Sequence, residues 1–404
     1  MITNETLKEV IILQREALDK SEVGTNREEK KEAIISDSFA LIITGVRRCG
    51  KSTFLNQLIK KQKNAYYLNL EDPRLDEFEL SDFNKIELIM KEIYGPGGVY
   101  FFDEIQSVPK WEKFIRYLVD KKEKVILTGS NASLLSRELG TKLTGRHIQI
   151  EMFPFTYNEF LDLKKINASL DSFKEYLYAG GFPEFLKTTN PVILHRLLSD
   201  IIMKDIAVRF NIKNTNILNK IAVFLISNVG KEFSYNSIKH MFEIKSVQSV
   251  IDYISFFEDA YLTFNVPRFS YSFKQQQINP KKAYSIDNGF SSNNSASFSK
   301  DSGKMLENLV FLTLRRKYKD IYYFQEKREC DFIIKEKEKI TQAIQVCFDF
   351  NEETKNREIS GLLEAMKEFK LKNGLILTYK QEDEFKIDGL IIKVLPVWKW
   401  LLEK

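Results

Sequence analysis

Apolar positions fall into two rhythms along this chain. Over residues 4–20, Leu7, Val10, Ile11, Leu13 and Leu18 recur at the helical period and predict an amphipathic helix. The polar stretch 21–31 reads as a connection. Short, mainly apolar runs follow at 40–43, 65–70 (AYYLNL), 99–102 and 124–128 (KVILT), and Ile148-Gln149-Ile150 comes after them. Runs of that length bounded by turn residues read as buried strands. Helical spacing returns between them, at Leu55, Leu58 and Ile59, over 86–94 and over 111–119, and Gly95-Pro96-Gly97-Gly98 is a hard stop. Strands alternating with helices predict an α/β domain over residues 1–160.

Residues 161–290 are mostly helical by pattern. Residues 173–177 lead into the turn Ala179-Gly180-Gly181-Phe182-Pro183-Glu184. Over 194–210, Leu194, Leu197, Leu198, Ile201, Ile202 and Ile206 form an apolar stripe opposite Asp200, Lys204, Asp205 and Arg209, which read as ion pairs on a solvated face. Helices over 217–228, 235–242 and 246–257 precede candidate wing strands at 262–266 and 283–286. That order predicts a winged helix-turn-helix whose third helix would be the recognition helix. Lys245, Gln248 and Asp252 are a thin set for reading DNA. Between Asp259 and Asp287, however, there is no acid, while Arg268, Lys274, Lys281 and Lys282 lie there. A basic wing on DNA phosphates and a structural lid that reads no base both stand. The Ser/Asn-rich stretch 291–303 reads as a mobile boundary. A third domain over 300–404 begins with a helix at 305–318, with strands at 321–325, 330–334, 343–348 and 374–378 and a helix at 359–369.

Composition narrows the class. An apolar share of 43% and a charged share of 29%, with 31 Phe and 17 Tyr, describe packed cores and not a disordered chain. No run approaches the ~20 apolar residues that span a bilayer. Glu5, Lys8, Glu9, Arg15 and Glu16 leave no apolar core for a signal peptide. Cys49, Cys330 and Cys347, like His147, His195 and His240, are too scattered for a zinc site, and free thiols predict a cytoplasmic setting. A net charge of +5 permits a nucleic-acid partner without arguing for one.

The chemistry concentrates in Gly45-Val46-Arg47-Arg48-Cys49-Gly50-Lys51-Ser52, followed by Thr53, which meets G-x-x-x-x-G-K-[ST] at every fixed position. Between a strand and a helix, the loop's N–H groups cradle a polyanion. Lys51 would meet the β- and γ-phosphates of ATP, and Ser52 would hold Mg2+. The run Val99-Tyr100-Phe101-Phe102-Asp103-Glu104 brings two carboxylates to a strand's carboxyl end, where open α/β sheets bind ligands. Asp103 would support the metal and Glu104 would polarise the attacking water. At the end of the neighbouring strand, Asn131 or Ser130 would contact the γ-phosphate or the water, an ordinary Asx turn being the other reading.

GVRRCGKST, VYFFDEIQ, LTGSNASLL, LTGR and MFPFTYNEF together resemble, in order and spacing, the AAA+-like ATPases of bacteria and archaea. More narrowly, the chain resembles a prokaryotic group that joins such an ATPase to a winged-helix segment and a C-terminal domain with the restriction-endonuclease fold. The resemblance implies that Arg146 is an arginine finger presented to a neighbouring subunit, hence a homo-oligomer. From the residue alone, a surface arginine or a phosphate contact within its own chain stands equally. Arg47 and Arg48 are expected to point away from the cradle and pair with nearby acids. In the C-terminal part, the resemblance to PD-(D/E)xK nucleases maps Glu307 and Asp331 onto the first two acids. Gln345-Val346-Cys347 stands where an acid-x-Lys is required, so the domain is expected to be inactive or altered unless a relocated lysine, such as Lys335 or Lys355, restores it. The resulting expectation is a cytoplasmic Mg2+-dependent ATPase doing conformational work on a bound macromolecule, DNA foremost. An ATP-dependent nuclease and a nucleotide-gated protein-interaction switch are the alternatives.

Overall fold

Every residue of the strand Ala40–Gly45 is buried, and so is every residue of Val99–Asp103. Strands covered on both faces have no alternation to display, which is why the sequence presents them as continuous apolar runs. The structure is a computed structural model that describes residues 2–31, 33–130, 145–296 and 301–403. The chain forms two compact units, Met1–Phe153 and Pro154–Lys404; the second holds both the middle and the C-terminal stretches.

The first unit runs α1 (Asn4–Lys20), β1 (Ala40–Gly45), α2 (Lys51–Ile59), β2 (Ala65–Asn69), α3 (Asp82–Tyr94), β3 (Val99–Asp103), α4 (Trp111–Asp120), β4 (Val125–Gly129) and β5 (His147–Met152). Its strands form one five-stranded sheet in the order β2-β3-β4-β1-β5, parallel throughout. The loops that follow β1, β3 and β4 therefore leave from the same end of the sheet. Leu7, Val10 and Ile11 of α1, Phe83, Ile86 and Met90 of α3, and Phe114, Ile115 and Leu118 of α4 share one core with Tyr66, Tyr100 and Phe102. Phe83 stacks on Phe114 at 4.4 Å and meets Phe102 edge-on at 6.0 Å, which puts the chain's many aromatic residues to use as packing.

The second unit opens with α5 (Tyr157–Lys164), α6 (Leu170–Ala179), α7 (Pro183–Thr188) and α8 (Val192–Asp200), the last continuing as π-type turns through Ile201–Val208. Next come α9 (Thr215–Ser227), β6 (Glu232–Phe233), α10 (Tyr235–Met241), α11 (Val247–Asp259), β7 (Thr263–Pro267), α12 (Phe273–Ile278) and β8 (Lys281–Ser285), with an antiparallel sheet in the order β6-β8-β7. After α13 (Asn288–Asn294), the chain forms α14 (Ser302–Lys317), β9 (Ile321–Gln325), β10 (Glu329–Glu336), β11 (Lys339–Cys347), α15 (Glu352–Glu368), β12 (Asn373–Thr378), β13 (Asp383–Ile387), β14 (Leu390–Pro396) and α16 (Val397–Leu402). The last six strands make a mixed sheet, β13-β14-β12-β11-β10-β9, in which β11, β12 and β14 run parallel. Leu362, Ala365 and Met366 of α15 pack on Ile333, Ala343 and Ile376 of that sheet.

Two expectations need correction here. Residues 291–294, read as the start of a mobile boundary, belong to α13: Asp287 caps it by accepting the Phe290 N–H at 2.8 Å, and Phe290 is buried. The stretch expected to form a basic wing is not broadly basic either. Lys281 is buried and donates to the Gln277 carbonyl, Lys282 is buried among carboxylates, and Arg268 donates to the Gln325 carbonyl beside Glu326. Lys274 alone of the four stays exposed. Residues 131–144, which include Asn131, and 297–300 lie outside the described residues. Among the described residues no helix is long and apolar enough to cross a membrane.

Candidate functional site

β1 ends at Gly45, the loop turns through Val46–Gly50, and α2 begins at Lys51. Gly45 has no substitute: at φ +153° a Cβ there would stand 2.1 Å from the Met152 carbonyl oxygen of β5. Gly50, at φ +104°, gives the left-handed turn from which the helix starts. Lys51 is buried; its Nζ donates to the carbonyls of Gly45 at 3.1 Å and Val46 at 3.2 Å and lies 3.7 Å from Glu104 Oε1.

The acids arrive from β3. Asp103 is buried at its end, and Ser52, in the first turn of α2, lies on its carboxylate side and helps to hold the charge there. Burial, and then the neighbouring charge of Glu104, push the Asp103 carboxyl above its usual range, against hydrogen bonds from Thr128 and Ser52 that pull it down. Glu104 follows in the left-handed region, φ +52°, a conformation that costs a non-glycine residue energy and collects at functional sites. Thr128, on β4, holds the pair: its hydroxyl donates to Asp103 Oδ1 and accepts the Glu104 N–H at 2.9 Å. Gln106 donates to Glu104 Oε2 and, at 3.4 Å, to the buried Ser130 hydroxyl at the end of β4. Tyr67 donates to Asp103 Oδ2 at 3.4 Å. The Ser52 hydroxyl in the first turn of α2 and the buried Asp103 carboxylate at the end of β3 are the hard oxygen donors that Mg2+ takes, and a cation there would offset the burial of the Asp103 charge.

From behind, Arg27 props the loop. It is 3% exposed, donates to the Cys49 carbonyl at 2.7 Å and the Phe153 carbonyl at 2.6 Å, and pairs with Glu29 at 3.2 Å. Cys49 is buried, and that burial raises its thiol pKa. Arg47 turns to Glu71 at 3.3 Å, and Arg48 is exposed. The sequence reading named neither Arg27, which sits in a polar connection, nor Thr128, which reads as one more strand residue.

Arg146 stands elsewhere. Its backbone carbonyl accepts the Ala40 N–H at 3.1 Å, so it lies at the N-terminal end of β1, while the phosphate loop leaves from the other end. The five steps from Ala40 to Gly45, about 17 Å at ~3.3 Å per residue, separate the two ends. Its side chain is half exposed and pairs with Asp120 at the end of α4.

In the second unit, Glu307 of α14, Asp331 of β10 and Gln345 of β11 do come together, in a cleft of about 570 Å³. The Gln345 amide is committed on both sides: Oε1 accepts the Asp331 N–H at 3.2 Å and Nε2 donates to Glu358 at 2.6 Å. Cys347 is buried, its thiol pushed up to about 11 by that burial. Lys355 lies over the Phe385 ring at 4.5 Å, and Lys335 is four residues along β10 from Asp331. Lys304 reaches Glu307 at 2.9 Å, and Lys282 reaches three acids, with Nζ 2.5 Å from Glu329, 3.2 Å from Asp331 and 3.4 Å from Glu307. Among the described residues no group of His, Cys, Asp and Glu is disposed to hold a metal ion.

Residues 37–161 match an AAA domain; residues 170–299 and 302–400 match two domains of unknown function (DUF8612 and DUF4143). The chain is 35% identical over 434 residues to the uncharacterized protein MJ1544 of Methanocaldococcus jannaschii, covering 100% of this chain and 96% of that protein. An uncharacterized protein of Haemophilus influenzae is 30% identical over 391 residues, 90% of this chain and 94% of that one. Among solved structures, AMPPCP-bound DnaA from Aquifex aeolicus aligns over 64% of this chain and 89% of that chain, at 16% identity and a TM-score of 0.29. C. elegans PCH-2 aligns over 62% and 68%, at 12% identity and a TM-score of 0.22. Overlays this loose bear on no residue.

Proposed function

This chain belongs to the family of those archaeal and bacterial proteins, a family with an AAA-type P-loop ATPase domain, and we propose that it hydrolyses ATP to ADP and phosphate with Mg2+. The observation that carries the proposal is the meeting of Lys51, Ser52, Asp103 and Glu104 at one end of the parallel sheet. Lys51 leaves the Gly45 and Val46 carbonyls for the β- and γ-phosphates, while the N–H groups from Gly45 to Thr53 line the phosphates. Ser52 and Asp103 would hold the metal, which would supply positive charge against the phosphates. Glu104 accepts a hydrogen from the attacking water, directing its oxygen at the γ-phosphorus as the bond to the β–γ bridging oxygen breaks. Asn131 and Ser130 are the candidates for contacting the γ-phosphate.

Arg146 belongs to a neighbouring subunit's site in this reading. Its distance from its own loop supports a contribution in trans, and a homo-oligomer goes with it. The middle segment reads as a winged helix on the order β6-β8-β7, and the C-terminal domain as a restriction-endonuclease-like fold with an altered site. Cytoplasmic ATP-driven work on a bound macromolecule is the use we assign to the cycle, with DNA the first candidate. A nucleotide-gated switch for a protein partner is favoured by one observation. The inward turn of the wing's cations leaves Tyr271 78%, Phe273 73% and Ile278 63% exposed.

The test is Glu104→Gln. Turnover should fall about 10²- to 10⁴-fold while ATP stays bound. Undiminished hydrolysis would remove Glu104 from the reaction, and loss of ATP binding would reassign it to the cradle. ATPase rates with single-stranded, duplex and branched DNA separate the two uses: no stimulation by any of them favours the switch.

A further inference from the structure

Lys282 lies on β8, outside the C-terminal sheet in sequence, yet it is 2% exposed in the heart of that domain's acidic site. An ammonium has three N–H donors, and three carboxylates stand around this one: Glu329, Asp331 and Glu307. The remaining oxygens of Glu307 and Asp331 are also taken. Tyr284, two residues along β8, donates to Glu307 Oε1 at 2.7 Å, and Lys304 donates to Glu307 Oε2 at 2.9 Å. The Val346 N–H donates to Asp331 Oδ2 at 3.0 Å. Each carboxylate oxygen of Glu307 and Asp331 thus faces a protein donor, and the Gln345 oxygen faces the Asp331 N–H. Magnesium needs several oxygens free to converge at about 2.1 Å. The residues that the nuclease resemblance assigns to a metal do not fit one while Lys282 is in place.

The seat of β8 is built, not incidental. Asn308 of α14 clips the strand's backbone at Ser285 from both sides, at 2.9 Å and 3.1 Å, and the Tyr284 ring stacks on Phe311 at 4.3 Å. A buried lysine without counter-charges would lose its proton; here burial is outweighed by Glu307 and the other acids, and the ammonium is held well above its ordinary pKa.

We propose that Lys282 is the resident cation of this site: β8 delivers an ammonium to the place a divalent metal would take. The C-terminal cleft is thereby held metal-free and does not cleave phosphodiesters. The proposal does not depend on the ATPase reading.

Mn2+ binding to the nucleotide-free full chain, followed by electron paramagnetic resonance, tests it. In the otherwise unaltered chain, Asp331→Asn should leave the bound Mn2+ unchanged. Lys282→Met should bind one additional Mn2+ per chain, at least tenfold more tightly than the parent binds any, and adding Asp331→Asn should abolish it. Mn2+ in the parent chain that Asp331→Asn removes would overturn the proposal, as would a folded Lys282→Met chain that gains none. Should Lys282→Met fail to fold, the comparison of the parent with Asp331→Asn decides alone.

Discussion

The Thr128 hydroxyl donates to the carboxylate of Asp103 and, in the same geometry, accepts the N–H of Glu104. One side chain of β4 thereby orients the proposed metal ligand and fixes the backbone that aims the proposed water-activating acid. Because Asp103 is buried, that bond also offsets the desolvation that raises its carboxyl pKa.

Thr128→Val keeps the shape and removes the hydroxyl. A buried group left without its partner costs about 1–3 kcal/mol, and misplacement of Glu104 should slow turnover about 10- to 100-fold. The hydrogen bond lowers the Asp103 pKa, so its loss must raise it. The acid limb of the turnover profile should then move to higher pH. An acid limb that stays in place while the rate falls would show that Thr128 acts on Glu104 alone.

Arg27 makes a separate case. Its guanidinium is buried between the Cys49 and Phe153 carbonyls and paired with Glu29. Removing one partner of a buried pair costs about 3–5 kcal/mol. Arg27→Met should lower the denaturant midpoint accordingly and weaken ATP binding about tenfold, with the rate at saturating ATP little changed. Equal loss in the saturated rate would mean that Arg27 shapes the reaction and not only the cradle.

What could be read beforehand follows from how far each interaction reaches along the chain. Val99–Asp103 and the phosphate loop are local: an apolar run, a fixed glycine pair and two acids carry their own meaning. Arg27, 22 residues from the carbonyl it holds, sits in a polar stretch that looks like any connection. Lys282 and Lys281 form a pair that charge counting assigns to solvent; only contacts 25 and 49 residues away turn Lys282 inward. The same blindness kept a basic wing among the open readings, although three of its four cations, Arg268, Lys281 and Lys282, turn to partners within the fold. Helix α13 was missed because its Ser/Asn composition suits a loop, and its cap and its anchor at Phe290 outweigh that tendency.

Arg146 is exposed and pairs with Asp120 on its own surface, an ion pair worth about 0–1 kcal/mol. Arg146→Ala should therefore melt like the parent. If the arginine serves a neighbour, the variant keeps ATP binding and loses most turnover. Mixing it with Lys51→Ala, itself inactive, should restore part of the rate, because the first chain supplies an intact nucleotide site and the second an intact arginine. Full activity of Arg146→Ala, or no recovery on mixing, removes the trans role.

Asp287 gives the last prediction, on pH. Its carboxylate caps α13 and accepts the Gly181 N–H at 2.6 Å as well as that of Phe290. Burial raises its pKa from 3.8 to about 6, although the backbone N–H groups of Gly181, Phe290 and Gly289 pull the other way. The folded chain thus holds this proton more tightly than the unfolded chain does. The stability linked to it is complete below pH 3.8 and is lost as the pH rises to about 6. The loss amounts to about 3 kcal/mol at 1.36 kcal/mol per pKa unit. Asp287→Asn cannot ionise and should abolish that component of the slope. Its amide also turns an N–H toward a backbone donor, so the variant should start about 1–3 kcal/mol less stable at acid pH. Denaturant midpoints between pH 4 and pH 7 check both parts: an unchanged slope in the variant would assign the titration to another buried acid, with Glu258, raised to about 7, the next to test.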